Sequence, residues 1–261
     1  MFSTGYVRDL PDVRDRVFER LPVLGATEPP AEHHELATMF DILLEQKAES
    51  CVGFSLSEAL YAGWRASGIE TPFLASPLFI WWCSRHTHGS EFNNAGTYIR
   101  TALKQMRELG FCPDVTYPGT GGADLRGYNQ RPSRLAFQKA IDQRLSDLEY
   151  YRVTGLGDER VLSWKRAISS GHPVVFGVPI ERAFFKWDGV GYIKSPMLDS
   201  QLVDGHAMCA LGYTEQGVYG PQTWGRSWGQ RGWFRLSWQY ILDWALDQWA
   251  IKTPQYFSEA A

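Results

Sequence analysis

The stretch SCVGFSLSEALYAGWRASG, residues 50–68, carries the clearest helical pattern in the 261-residue chain. Apolar and small residues recur there at helical spacing and fall on one face of a predicted helix. These residues are Val52, Leu56, Ala59, Leu60 and Gly63. Ser50 is a residue type that caps helix starts, and Gly68 is one that ends helices. Cys51 is therefore predicted to be the first residue of the helix.

The position of Cys51 at a helix start affects the reactivity of its thiol. The unpaired backbone N–H groups and the positive dipole end at a helix start favour a thiolate, which is the nucleophilic form of cysteine. The alternative is a buried structural cysteine that only begins a helix. A candidate base stands in DGHAMCALGY, residues 204–213, where His206 begins an apolar strand. The alternative there is a core histidine with satisfied ring nitrogens.

Two more helices are predicted after the first, over residues 76–86, where Ser76-Pro77 begins the helix, and over residues 95–110. Residues 118–132 are glycine-rich and match no phosphate-binding spacing, so they are interpreted as a connector. Helical patterns at 133–145 and 161–171 precede short apolar segments between glycine turns, which are typical of strands. These segments are 173–180, 206–214, 217–225 and 232–238, followed by a short predicted helix over 237–250.

This change along the chain, from mainly helical to mainly strand, predicts an α+β protein of two lobes. Residues 1–32 contain prolines too often for a helix core and are predicted to be an extended arm on the body of the protein. Residues 33–132 are expected to form the mainly helical lobe and residues 133–261 the mainly β lobe. The expected apolar anchors of the arm are Tyr6, Val7, Leu10, Val17, Phe18 and Leu21.

The composition excludes several classes of protein. Apolar residues make up 44% and charged residues 21% of the chain, so a sizeable core can form. The net charge of −3 gives no basic excess for binding nucleic acid. No membrane span is predicted, and the first 30 residues lack the apolar middle of a signal peptide. The sequence implies no cofactor and leaves the compartment and the oligomeric state open.

Three blocks, in this order, resemble the papain-like cysteine peptidases, including bacterial and phage members. EQKAESCVGFS, residues 45–55, resembles the block with the oxyanion glutamine and the nucleophile. GHAMCALGY, residues 205–213, resembles the block with the base. QTWGRSWGQRGWF, residues 222–234, resembles the Asn-Ser-Trp-Gly block that follows it. His206 lies 155 positions after Cys51 (206 − 51), near the separation typical of the family.

The resemblance implies a papain-like two-lobe fold, with the active-site cleft between a helical lobe and a strand-rich, barrel-like lobe. Cys51 would be the nucleophile on the first lobe and His206 the base on the second. Gln46 and the backbone N–H of Cys51 would hold the oxyanion, and Gln222 would orient the imidazole. The substrate-binding residues that the resemblance implies are Gly96, Gly205 and Trp224.

Some positions depart from the family pattern. Gln222 stands where the family has its orienting asparagine, and it offers the same amide oxygen on one more methylene. Asp204 and Thr223 are the alternative orienting residues. Gln46 lies five residues before the nucleophile, where the family has six. Glu49 brings a negative charge, which raises the pKa of the thiol if the carboxylate points towards it.

The other cysteines have structural alternatives. The family's usual cysteine partner upstream of the nucleophile is absent, so its common disulfide cannot form there. Cys83 and Cys112 either pair with each other or stay reduced, and Cys209 is expected in the core. CSRHTH, residues 83–88, groups a cysteine with two histidines. Because a structural zinc site normally takes four ligands, no metal site is predicted.

These residues predict a thiol-dependent peptidase that hydrolyses polypeptide substrates through a Cys–His acyl-enzyme mechanism. The alternative is a catalytically weak or inactive papain-like module that acts as a binding or assembly component. Cys51 and His206 favour the enzyme, whereas Gln222, the short KAES loop and Glu49 favour the module. The arm is expected either to block the cleft or to brace the two lobes.

Overall fold

The predicted nucleophile helix is present as α2, Cys51–Ala66. The computed structural model describes residues 4–21, 28–70, 73–144, 147–195 and 202–253. Residues 51–64 of α2 are all buried, so burial extends beyond the apolar face that the sequence predicts. Neighbouring elements cover the helix on every side. They can approach its backbone closely because several of its residues are small. A Cβ at Gly53 would lie 2.3 Å from the Pro77 carbonyl oxygen.

The helices lie mostly in the first half of the described chain. Ser76 caps its helix as predicted, because its hydroxyl accepts from Phe79 N at 3.0 Å. Ser50 does not cap α2, and its hydroxyl instead donates to Asp124 at 2.6 Å. The helix predicted from residue 95 begins only at Ile99. The remaining helices are α1 Glu35–Met39, α3 Pro77–His86, α4 Ile99–Glu108, α5 Ala123–Gly127, α6 Arg134–Asp142, α7 Gly157–Ser169 and α8 Trp238–Trp244.

Two antiparallel sheets occupy the second half. The strands are β3 Glu149–Arg152, β4 Val174–Glu181, β5 Leu202–Ala210, β6 Gly212–Tyr213, β7 Gly217–Pro221, β8 Trp233–Ser237 and β9 Asp247–Lys252. One sheet has the order β3-β9-β4-β5 and the other the order β6-β7-β8. In the first sheet Val178 of β4 lies opposite His206 of β5. This pairing holds His206 on a buried strand.

Strand β9 differs most from the prediction. The sequence predicts one short helix over residues 237–250, but α8 ends at Trp244 and residues 247–252 form β9. Because β9 pairs with β3 on one side and with β4 on the other, sheet pairing outweighs the local helical preference. β3 is absent from the prediction, and the predicted connector 118–132 contains the short helix α5.

The predicted arm lies on the body of the protein, although its residues 1–3 and 22–27 fall outside the described residues. Its first strand, β1 Tyr6–Val7, pairs in parallel with β2 Thr97–Tyr98. Among the expected apolar anchors, Tyr6 and Phe18 are buried. Val7 is 37% exposed and Leu10 77% exposed, so the prediction is wrong for these two. The arm needs other attachments.

Polar contacts supply those attachments. The backbone N–H of Asp9 donates to the Asp247 carboxylate at 2.6 Å. The Asp15 carboxylate accepts from Arg100 at 2.6 Å and from Arg152 at 2.9 Å. Charged side chains of the body therefore hold the arm in place.

The element order, helical first and strand-rich second, confirms the α+β class. The lobe boundaries at residues 32 and 132 stay a prediction. Within the described ranges, no helix is both long enough and apolar enough to cross a membrane.

Candidate active site

Cys51 and His206 come together where the start of α2 meets strand β5. The backbone N–H of Ala207, the residue after His206, donates to Cys51 Sγ at 3.3 Å. Cys51 is the first residue of α2, where unpaired N–H groups point out of the helix. The two residues predicted as nucleophile and base therefore share one site.

Gln222 binds the imidazole, as the sequence predicts. His206 Nε2 lies 2.9 Å from Gln222 Oε1, and the same oxygen accepts from Thr223 N at 2.9 Å. The amide nitrogen of Gln222 faces Met208 Sδ at 3.7 Å, so the longer side chain is accommodated inside the core. An acceptor at Nε2 selects the tautomer with its proton there. The Nδ1 atom of His206, buried and without a hydrogen bond among the described residues, is then left as a base.

The alternative orienting residues bind elsewhere. The Asp204 carboxylate accepts from the Thr4 hydroxyl and from Gly205 N at 2.7 Å. The Thr223 hydroxyl donates to Gln46 Oε1. Gln222 is thus the residue whose side chain contacts the ring of His206.

Trp224 covers the His206–Gln222 bond. Its ring stacks on the imidazole, with centroids 4.6 Å apart and planes 29° from parallel. Trp228 packs edge-on against Trp224 at 5.2 Å, and Phe184 stacks on Trp228 at 5.5 Å. These rings exclude water from the bond, which strengthens it.

Gln46 and the start of α2 present two donors to a single backbone carbonyl. Gln46 Nε2 donates to Thr4 O at 3.3 Å, and Cys51 N donates to the same oxygen at 3.5 Å. The bond from Thr223 to Gln46 Oε1 fixes the amide so that its nitrogen faces this oxygen. Both distances are long for hydrogen bonds, which suits donors that tighten on a more negative oxygen.

The loop between Gln46 and the nucleophile is shaped by a residue that the sequence did not single out. The Asp124 carboxylate accepts from Lys47 N and Ala48 N, each at 2.9 Å, and from the Ser50 hydroxyl at 2.6 Å. Three bonds to one buried carboxylate hold the KAES loop, the four residues between Gln46 and Cys51. The signal in the sequence was an aspartate inside the glycine-rich connector.

The arm passes directly over this site. Gly5 N donates to Gly205 O at 3.2 Å, and Thr97 N donates to Gly5 O at 2.9 Å. Gly5 has a φ of +115°, and a Cβ there would lie 2.0 Å from the Glu49 carbonyl oxygen. Only glycine fits this position, because both the backbone angle and the space exclude a side chain.

The two predicted substrate-binding glycines contact the arm backbone. A Cβ at Gly96 would lie 2.6 Å from Gly5 O, and a Cβ at Gly205 would lie 2.5 Å from Tyr6 O. Since neither residue carries a side chain, the arm backbone lies flat against both. An extended peptide therefore fits between these two glycines.

The Cys51 thiol and the His206 imidazole are both fully buried, and burial favours the neutral form of each. Burial raises the pKa of the Cys51 thiol, and the Asp204 and Glu49 charges add to the rise while the Ala207 N–H opposes it. Burial lowers the pKa of His206 to about 4, although the hydrogen bond that its ring donates to Gln222 acts in the opposite direction. A thiolate–imidazolium pair is therefore disfavoured in this covered state.

The other cysteines and histidines do not form a second site. All four cysteines are buried free thiols, so Cys83 and Cys112 are unpaired. His86 Nδ1 lies 2.8 Å from Glu91 Oε1, and its ring stacks on Trp82. In the part of the chain that the structure describes, no three His, Cys, Asp or Glu side chains group as metal ligands.

Known proteins share this architecture, although no protein-family model matches the chain. An uncharacterized peptidase C1-like protein of Acanthamoeba polyphaga mimivirus is 29% identical over 189 residues. The match covers 69% of this chain and 59% of the viral protein, so the chain spans about three fifths of that relative's length.

Among solved structures, xylellain, a cysteine protease from Xylella fastidiosa, is similar with a TM-score of 0.80 and 25% identity, covering 97% of each chain. A procathepsin B from Trypanosoma congolense is similar with a TM-score of 0.70 and 15% identity, covering 98% of this chain and 87% of that one. At the lower identity, the likeness concerns the fold alone.

Proposed function

This chain has the fold of the papain-like cysteine peptidases, and we propose that it is a thiol-dependent peptidase acting on polypeptide substrates. One observation carries the proposal. Two N–H donors, from Cys51 and Gln46, bind the peptide carbonyl of Thr4 of the chain itself. Beside them, the Cys51 thiol accepts from the backbone N–H next to His206. That arrangement is what acyl transfer at a peptide bond requires.

The chemistry follows from these positions. His206 Nδ1 takes the thiol proton, and Cys51 Sγ attacks the carbonyl carbon of the substrate. The oxyanion accepts from Cys51 N and Gln46 Nε2. The imidazolium then protonates the leaving nitrogen, the C–N bond breaks, and an acyl-enzyme remains. Water, deprotonated by His206, attacks the thioester, which releases the carboxylic acid and returns the thiol.

The features that favoured a non-catalytic module do not remove a catalytic contact. Gln222 reaches His206 despite its length, and Gln46 reaches the carbonyl despite its shorter loop. The charge of Glu49 adds less to the pKa of Cys51 than burial does. Burial of the site, in turn, depends on the arm.

The arm supports a latent form of the enzyme. Its residues 4–6 lie between Gly96 and Gly205, in the space where a substrate would bind. They also place the Thr4 carbonyl next to Cys51. A substrate then binds only after these residues leave. The cleft would lie between the lobes 33–132 and 133–261, with Cys51 on the first and His206 on the second.

Peptide hydrolysis by a chain with a displaced arm tests the function. Gly5→Val places a branched side chain against the Glu49 carbonyl and should lift the arm from the site. We expect this full-length variant to cleave a mixture of fluorogenic peptides, and the same variant carrying Cys51→Ala to be inactive. Equal hydrolysis with and without Cys51 would show that the activity arises elsewhere.

A further inference from the structure

A groove lies between the arm and the body of the protein, apart from the active site. Its volume is about 560 Å³, which is within the range of sites that hold small molecules. One wall consists of arm residues 12 and 14–16, and the other of α4 side chains together with Arg144 and Tyr150. The groove therefore has this form only while the arm is docked.

The charged side chains of the groove are mostly basic, although the whole chain has a net charge of −3. Six arginine and lysine side chains line it beside three carboxylates. Each carboxylate is already paired with a basic side chain of the groove. The three pairs are Asp12–Arg14 at 2.5 Å, Asp15–Arg100 at 2.6 Å and Glu108–Lys104 at 3.9 Å.

Arg107 and Arg144 carry charges that no carboxylate balances. Within the described ranges, neither side chain forms an ion pair, and both are exposed. The Arg107 guanidinium lies within hydrogen-bonding reach of the Tyr150 hydroxyl, and the Tyr150 ring packs edge-on against Trp249 at 5.8 Å. Tyr150 thus holds Arg107 at the groove and leaves its positive charge available to a ligand.

We propose that this groove binds a small, soluble polyphosphate and that the bound anion ties the arm to the body. Guanidinium groups bind phosphate oxygens in pairs. Cations on both walls suit a ligand that has charged oxygens along its whole length, whereas a carboxylate offers its oxygens at one end. The volume of the groove sets the size of the ligand to that of a small molecule.

A ligand that contacts both walls changes the accessibility of Cys51. Arg14 and Arg16 belong to the arm, whereas Arg107 and Arg144 belong to the body. An anion that contacts both pairs binds the docked arm more tightly than the lifted one. By mass action, polyphosphate at ten times its Kd should then lower the lifted fraction about tenfold. The groove is in this way a regulatory site for the covered state, and it does not require that the protein be a peptidase.

Calorimetric titration of the full-length chain with sodium tripolyphosphate, at constant ionic strength, tests the site. The double variant Arg107→Gln and Arg144→Gln should bind tripolyphosphate at least about tenfold more weakly than the unaltered chain, because two charge-assisted contacts are lost. The matched control is Arg131→Gln with Arg134→Gln, which removes the same charge from two exposed side chains outside the groove. Equal affinity of the two double variants, or equal affinity of the unaltered chain for sulfate, would overturn the site.

Alkylation of Cys51 by iodoacetamide in the same solutions tests the coupling. The reagent is uncharged and the measurement involves no substrate, so its result is separate from the success or failure of the proposed peptidase function. Tripolyphosphate at ten times its Kd should slow the alkylation about tenfold in the unaltered chain and in the control. The same concentration should leave the rate in the Arg107→Gln and Arg144→Gln chain nearly unchanged. Binding of tripolyphosphate that leaves the alkylation rate of the unaltered chain unchanged would refute the tie between arm and body.

Discussion

Helix α2 and the arm meet at Cys51, but different forces hold them. Residues 51–64 of α2 are all buried, and its large side chains, among them Leu60 and Trp64, pack in the main core. The arm segment 4–18 has two buried apolar anchors, Tyr6 and Phe18, and otherwise depends on hydrogen bonds and ion pairs.

From this difference we infer that the arm can detach while α2 stays in the core. Apolar burial contributes about 25 cal/mol per Å² and does not depend on the ionisation of side chains. A buried ion pair gains little net free energy, because both charges lose their water. The arginines that hold Asp15 regain water when the arm lifts. The arm is therefore the part whose attachment solution conditions can change.

The largest expected effect is on kcat/KM, when the loss of the proposed base is compared with the loss of a side chain that only packs in the core. In the Gly5→Val chain, His206→Ala should lower kcat/KM for a peptide roughly 10⁴-fold, since the thiol loses its base. Cys209→Ala, a buried thiol on the same strand, should leave most of the activity. Steady-state kinetics with one peptide measure kcat/KM for both variants. A similar loss in both would mean that the activity falls because strand β5 is disturbed and not because the base is missing.

Stability should respond differently in the two regions. Leu60→Ala empties space in the core and should lower the free energy of unfolding by about 2–5 kcal/mol, measured by urea denaturation. Asp15→Asn should leave the main unfolding transition nearly unchanged and speed the alkylation of Cys51. If Asp15→Asn instead lowered the unfolding free energy as much as Leu60→Ala, the arm would be part of the core.

The Asp9 carboxyl makes the attachment of the arm depend on pH. Burial raises its pKa from 3.8 to about 6 with help from the Asp247 charge, against the bond from Arg100 N and the charges of Arg100 and Arg152. The docked arm therefore favours protonated Asp9, so docking is strongest below about pH 4 and weakens as the pH rises through about 6.

Alkylation of Cys51 measures this dependence. Dividing the rate in the unaltered chain by the rate in Asp9→Asn cancels the ionisation of the thiol itself. Between about pH 4 and pH 7 the ratio should rise roughly tenfold to a hundredfold, given a shift of about two pKa units. A ratio that falls with pH would mean that ionised Asp9 stabilises docking through its arginines.

The smallest effect concerns the positioning of the imidazole. Gln222→Ala should lower kcat about tenfold, near 1.4 kcal/mol, because the ring of His206 loses the acceptor that fixes its tautomer. Gln222→Asn keeps an amide oxygen and should recover part of the rate, which a merely structural loss would not allow. Unchanged turnover in Gln222→Ala would assign the orientation to other contacts, with Trp224 the first candidate.

The residues of the site were more predictable from the sequence than the contacts of the arm that lies over them. Cys51, His206, Gln46 and Gln222 lie in short blocks whose residue types and spacing carry the chemistry. The arm has no periodicity, and Thr4 finds its partner Asp204 two hundred residues away. Its local signals are its prolines, which predict an extended arm, and a few scattered apolar residues.

Contacts between distant segments misled the prediction elsewhere too. Ser50 precedes a helix as a cap would, but Asp124 lies within reach of its hydroxyl and takes the bond. Strand β9 follows α8 so closely that its apolar residues extend the helical pattern. In each case the deciding neighbour lies far along the chain and leaves no trace in the local sequence.

The exposure of Cys51 on lifting the arm can be measured with a matched pair of glycine variants in the full-length chain. Gly5 and Gly89 both have positive φ, of +115° and +69°, but only at Gly5 would a Cβ meet other atoms. Gly5→Ala should therefore speed Cys51 alkylation by iodoacetamide about a hundredfold, while Gly89→Ala matches the unaltered chain. Cys51 labelling as fast in the unaltered chain as in Gly5→Ala, or labelling of Cys209 in its place, would contradict an arm that covers a reactive cysteine.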